Sequence, residues 1–158
     1  MEYEIILLQI FLTWVYGHVA EYSLHRWALH KIAAKRGHPF SFHFYGHHRN
    51  ARLNSYKDSA YQGFPLRWDA AGKELLSLLG LLLLHSPLYF YSPWIFLTIV
   101  LSICSYYYTH RRSHREPEWA KKNIPWHYDH HMALNQNMNY GVRSDVIDRI
   151  MGTREKMT

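Results

Sequence analysis

LLSLLGLLLLHSPLYFYSPWIFLTIVLSICSYYYTHRRSH, residues 75–114, sets the fold class. Its apolar run breaks at His85-Ser86-Pro87, and a second run opens at Pro93, a residue tolerated in the first turn of a helix but not in its interior. Lys73 and Arg111 close the two ends, and no Lys or Arg lies between them. The pattern predicts a helical membrane hairpin over about 72–110 that enters from one face of a bilayer and returns to it. Each limb is short for a full crossing.

Working toward the N-terminus, residues 5–20 are almost continuously apolar. At about 1.5 Å per residue they give roughly 24 Å, short of a bilayer core of about 30 Å unless the helix continues through 21–27. One transmembrane helix over about 3–23 is expected. The acidic start Met1-Glu2-Tyr3-Glu4 lacks the basic flank of a secretory signal, so this helix is expected to stay in the mature protein.

Two polar, histidine-rich segments remain, about 24–68 and 110–158. All 18 Lys and Arg lie at or after Arg26, which puts both segments on the cytoplasmic side by the positive-inside rule. This distribution accounts for the net charge of +6, and no recognition motif accompanies it, so nucleic acid is excluded as a partner. The reading is a single domain, 1–158, all-α: an integral, multi-pass membrane protein with one transmembrane helix, a membrane hairpin and a cytosolic histidine-rich helical cap. The mean hydropathy of −0.33 hides this segregation. Cys104, the single cysteine, reads as a small core residue.

Ten of the 13 histidines fall into four clusters: His25 and His30; His43, His47 and His48; His110 and His114; His127, His130 and His131. Spacings of three or four put two imidazoles on one helical face, within reach of one ion at about 2.1 Å. His43/His47, His110/His114 and His127/His130/His131 fit that rule. His25 and His30 are five apart, roughly 140° around an α-helix, so they need a helix end between them or must serve different ions. Ten imidazoles shared by two ions give about five each, one short of octahedral, which leaves a position where dioxygen can bind. The Glu-x-x-His pairs of soluble di-iron bundles are absent from the sequence.

The four clusters, in this order around an apolar hairpin, resemble the fatty acid hydroxylase/sterol desaturase superfamily, with its H-x(3–4)-H and repeated H-x(2–3)-H-H boxes. The close Trp126-His127-Tyr128-Asp129-His130-His131, Asn139-Tyr140-Gly141, Asp148 and Gly152-Thr153-Arg154 is similar to that family's ending. The resemblance covers roughly 21–155. It implies that all ten histidines hold two metal ions, iron in function and replaceable by zinc in a purified sample. It also implies O2 as co-substrate and a lipid as substrate, oxidised by hydroxylation. Desaturation and carotenoid hydroxylation use similar sites and stay open. Lacking a His-Pro-Gly-Gly haem motif, the chain is expected to take electrons from an external donor, of cytochrome b5 or ferredoxin type with its reductase. The membrane would be the endoplasmic reticulum in a eukaryote or the inner membrane in a bacterium.

Other classes fit less well. A histidine-rich metal transporter should carry ligands at mid-membrane depth, whereas these sit at helix ends or beyond. A haem anchor needs two or four axial histidines. Glu21, one turn before His25, is expected to accept its second ring N–H, and Asp129 and Asn139 to orient the last cluster. His18, His38 and His85 read as structural. Tyr106, Tyr107 and Tyr108 read as interfacial aromatics rather than channel lining. Asp145 and Asp148 are expected to cap, or to pair with Arg143 and Arg149.

Overall fold

The computed structural model describes residues 2–157. It is all-helical among those residues, as the apolar periodicities require. Helix α1 (Glu2–Ser23) runs without a break into a π-helical segment, Leu24–Ile32. A second π-helical segment, His43–His48, leads into the short α2 (Arg49–Leu53). The hairpin is α3 (Ala70–His85), a one-turn α4 (Leu88–Tyr91) and α5 (Pro93–Arg115). Three short helices close the chain: α6 (Pro117–Asn123), α7 (Pro125–Met132) and α8 (Val146–Ile150).

Local chemistry sets these boundaries. The Asp69 carboxylate caps α3 by accepting from the Gly72 amide at 3.1 Å. Proline occupies the first position of α5, α6 and α7, where its missing N–H costs nothing. At the tip, Ser92 Oγ donates to Gln9 Oε1 at 2.8 Å and ties the hairpin to α1.

The three long helices bury few residues and expose large apolar ones. Thr13 and Tyr22 are the only buried residues of α1, while Leu7, Phe11 and Leu12 lie more than half exposed. Leu83, Phe90 and Leu101 on the hairpin are likewise outward. A surface of this kind needs an apolar solvent. Two helical stretches, Glu2–Ile32 and Ala70–Tyr91, are long and apolar enough to cross a membrane. Helix α5 packs between them through Thr98, Ile99 and Ser102; a Cβ on Gly17 of α1 would lie 2.3 Å from Ser102 Oγ, so the glycine permits the close approach. Cys104 is exposed, not a core residue: it falls on the outward face of α5, where nothing in the fold covers it.

Interior aliphatic residues are few. Beyond alanines, the core is mainly Tyr22, Tyr56, Tyr61, Ile99, Ile124, Met138, Tyr140 and Val142, and the remaining volume is imidazole.

The C-terminal segment is folded back against this interior by one carboxylate. Buried Asp148 accepts from the Tyr140 and Gly141 amides at 2.8 and 2.7 Å and from Thr153 Oγ1 at 2.7 Å. A Cβ on Gly141 would stand 2.1 Å from the Ser144 carbonyl oxygen, so only glycine lets the chain pass there. Gly152, at φ +66°, reverses it after α8. Asp148 thus binds backbone amides. Arg143 pairs with neither Asp145 nor Asp148, because it reaches Glu21 instead. Asp145 takes Arg149, as expected, and also Arg154. Asp148→Ala, which strands two buried amides, is expected to destabilise the protein by about 2–6 kcal/mol at about 1–3 kcal/mol per orphaned group. Thermal unfolding of the purified protein measures it, with Leu134→Ala, 98% exposed, as the silent control.

Candidate metal centre

All ten clustered histidines are buried, and their rings gather into two adjoining groups. The candidate ligand atoms of His25, His30, His43, His48 and His130 lie within 4.8 Å of one another, as do those of His47, His110, His114 and His131. His127 adjoins the second group, its ring 4.8 Å from His131 and 5.1 Å from His110.

The π-helical segments explain this grouping. Their i→i+5 hydrogen bonding widens each turn, so that residues five apart come nearly into line. His25 and His30 therefore meet, with ring centroids 5.0 Å apart, in one continuous helix and one group. Neither a helix end nor a second ion is needed to reconcile their spacing. In the second segment His43 pairs with His48, and His47 turns to the other group. The i,i+4 pairing of His43 with His47 is thus replaced. Neighbours in a His-His dipeptide point about 100° apart, so His47-His48 and His130-His131 each serve both groups.

The protons can be placed. His25 Nδ1 is 2.5 Å from the Tyr140 carbonyl oxygen and His130 Nδ1 is 2.5 Å from that of Met138. A carbonyl only accepts, so both Nδ1 atoms carry hydrogen and both Nε2 atoms present lone pairs. Those Nε2 atoms converge with two others: His25 to His43 at 2.9 Å, His43 to His48 at 3.2 Å, and His48 to His130 at 3.2 Å. Ligands at about 2.1 Å and right angles around one cation are about 3.0 Å apart. The spacing suits a shared ion.

In the second group His47 Nδ1 donates to Asp58 at 2.8 Å, His110 Nδ1 to Glu74 at 2.7 Å and His114 Nδ1 to the Tyr56 carbonyl at 2.9 Å. The Nε2 atoms of these three rings, and both nitrogens of His30, His127 and His131, are buried without a hydrogen-bond partner. Left so, each lone pair would carry a desolvation cost of about 1–3 kcal/mol. A metal ion in each group fits this donor set and removes that cost.

Burial holds the rings in their ligating form. His43, His47, His48, His127, His130 and His131 titrate well below the ordinary histidine value of 6.5, first because burial penalises the imidazolium and then because neighbouring imidazoles repel its charge.

None of the three carboxamide and carboxylate partners expected from the sequence hydrogen-bonds a ligand ring directly. Glu21 accepts from the Val142 and Arg143 amides at 2.6 and 3.1 Å and from Arg143 Nε at 2.5 Å, so it fixes the loop whose Tyr140 carbonyl holds His25. Asp129 faces Arg154 at 3.7 Å. Asn139, at φ +54°, ties the Glu155 backbone to the Met138 turn behind His130. The carboxylates that do touch ligand candidates are Asp58 and Glu74, which no histidine spacing marks in the sequence. A lone acid bordering an apolar run, as Glu74 does, is the signal that finds one of them. Glu74 also receives the Tyr61 hydroxyl.

A cavity of about 490 Å³ opens beside the first group. Faces of α1, α3 and α5 form its walls, with His25 and His43 at one end and Tyr16 and His85 at the other. Tyr106 lines it and stacks on His110 at 5.6 Å, so this tyrosine is channel lining as well as packing. His38 caps the 39–41 turn through the Phe40 amide, and His18 packs edge-on against Trp14; neither joins the centre.

A family model described as Fatty acid hydroxylase matches residues 10–153, nearly the whole chain and all four histidine clusters. No curated protein and no solved structure matches.

Asp58→Ala and Glu74→Ala, each removing the acceptor behind a ring, are expected to weaken metal binding about 10–100-fold; competition against a chelator reads this out. The titration directions give a second expectation. An unfolded histidine takes its proton near 6.5 while these remain neutral to much lower pH, so stability is undiminished above 6.5 and falls below it. Each such ring contributes about 1.4 kcal/mol per pH unit in that window. Metal content and melting temperature should therefore fall together on acidification from pH 6.5, and flat curves would contradict it.

Proposed function

The chain belongs to the fatty acid hydroxylase family, and from that we propose that it is an integral-membrane, O2-dependent lipid hydroxylase working through two histidine-held iron ions. The observation that carries this reading is the meeting of two buried groups of unprotonated imidazole nitrogens with an apolar cavity. One ion would be held by His25, His30, His43, His48 and His130, the other by His47, His110, His114, His131 and His127. Zinc would fill the same sites readily in a purified sample.

Iron at these positions would supply activation of dioxygen, the oxidising power that an unactivated C–H bond requires. One oxygen atom enters the C–H bond, and the other leaves as water after taking two electrons and two protons. An external donor of cytochrome b5 or ferredoxin type, with its reductase, supplies those electrons.

The protein's own residues do the remaining work. Carbonyls of Met138, Tyr140 and Tyr56 and the carboxylates of Asp58 and Glu74 hold the Nδ1 protons, which keeps the opposite nitrogens free to ligate. Leu78, Leu81, Ile99 and Ile103 along the cavity exclude water and align an alkyl chain. His25 and His43, which belong both to the cavity wall and to the first histidine group, bring a chain carbon beside the metal centre.

The apolar outer faces of α1 and α3 suit a bilayer, and the basic residues flanking them support a cytoplasmic position for the histidine cap. Expression in a host fed candidate lipids, followed by lipidomics, tests the assignment. The parent should give products heavier by one oxygen, and His130→Ala none. Products lighter by two hydrogens would mean desaturation instead. Identical lipid profiles for parent and variant across a broad panel would remove the enzymatic reading.

A further inference from the structure

The end of the cavity away from the histidine groups is lined by Thr13, Tyr16 and His85. Its wall on α1 and the π-helical segment that continues it follows one face, through Thr13, Tyr16, Ala20, Leu24 and His25. Tyr16 and His25 are nine residues apart, roughly 13 Å at about 1.5 Å per residue. At the far end the Tyr16 hydroxyl and His85 Nε2 are 2.9 Å apart and bridge α1 to α3. His85 Nδ1 is 2.7 Å from the Leu81 carbonyl, so Nδ1 carries the hydrogen and Nε2 accepts from the tyrosine. The pair satisfies itself. It presents no spare donor to the slot, and a polar headgroup placed there would have to break a bond between two helices to gain one. The charged lining lies at the opposite end, where Glu21, Arg143 and Glu74 stand with Tyr61 near His25 and His43.

We infer that the Tyr16–His85 bridge is a ruler: the methyl end of an alkyl chain rests on it, the polar end points toward the histidine groups, and the distance from bridge to His25 and His43 fixes the carbon that is oxidised. The inference rests on the proposed function and adds orientation and regiochemistry to it. Ala20 sits one turn above Tyr16 on the same face and is the small residue at that level of the slot. Enlarging it shortens the slot, and shortening His85 lengthens it.

The test feeds saturated fatty acids of graded length to cells expressing the parent, Ala20→Leu or His85→Ala, and locates the new oxygen by fragmentation mass spectrometry. In the parent its position, counted from the methyl end, should be constant across chain lengths. Ala20→Leu should move it toward the methyl end and His85→Ala away from it. A second measurement uses each purified protein in lipid nanodiscs, with bound cis-parinaric acid displaced by the same fatty acids. The best competitor should be shorter for Ala20→Leu and longer for His85→Ala. The opposite directions of the two variants separate a ruler from general damage to the fold. Oxidation at a constant distance from the carboxyl end, or product positions and best competitors unmoved in both variants, overturns the ruler and leaves the hydroxylase reading intact. Shifted competitors without any oxidised lipid from the parent would keep the chain's depth and orientation against the bridge and overturn the reaction, with the regiochemistry that rests on it.

Discussion

Lone pairs that face one another in a dry interior are the constraint on which this fold depends. His25 and His130 each spend their ring proton on a backbone carbonyl, and their remaining nitrogens then point into a space shared with His43 and His48 at hydrogen-bond separations. Where two of these nitrogens meet with no proton between them the imidazoles repel, and burial penalises relief by protonation. Cations reverse the sign of the interaction. With so few interior aliphatic residues, metal ions held at the proposed sites would add folding free energy to the histidine-rich segments beside that of apolar burial.

Much of the rest follows from holding ten rings still. Two π-helical segments bring residues five apart into register, at a cost in backbone hydrogen-bond geometry that the histidine groups must offset. The chain after α7 then returns so that Met138 and Tyr140 present their carbonyls behind His130 and His25. Asp148, Gly141 and the Glu21–Arg143 pair fix that return. A buried ion pair of this kind, both partners 5% exposed, is weak evidence for net stability but fixes one geometry. It joins α1, the loop after α7 and Ser102 of α5 at the cavity wall.

The helical class, the hairpin and the four histidine clusters were all legible in the sequence because each depends on local composition and spacing. The division of the histidines was not. An α-helical period puts His43 with His47 and separates His25 from His30, and the structure reverses both because π-helical winding leaves no mark in a hydropathy pattern. Glu21 looked like a partner of His25 by helical proximity, but the Val142 and Arg143 amides, more than a hundred residues away in sequence, reach it first. Glu74 reaches His110 across 36 residues and Asp58 reaches His47 across 11, and no spacing rule connects either pair. Tyr106 and Cys104 differ only in which face of α5 they occupy, inward and outward respectively, and their aromatic or small character does not decide it.

X-ray absorption at the metal edge of the purified protein tests the central claim most directly. Two ions per chain, each surrounded by nitrogen or oxygen at about 2.1 Å with the outer-shell scattering of about five imidazoles, is the predicted result. A chain that keeps its fold after full removal of metal and rebinds none, or a single ion with few imidazole neighbours, would contradict it.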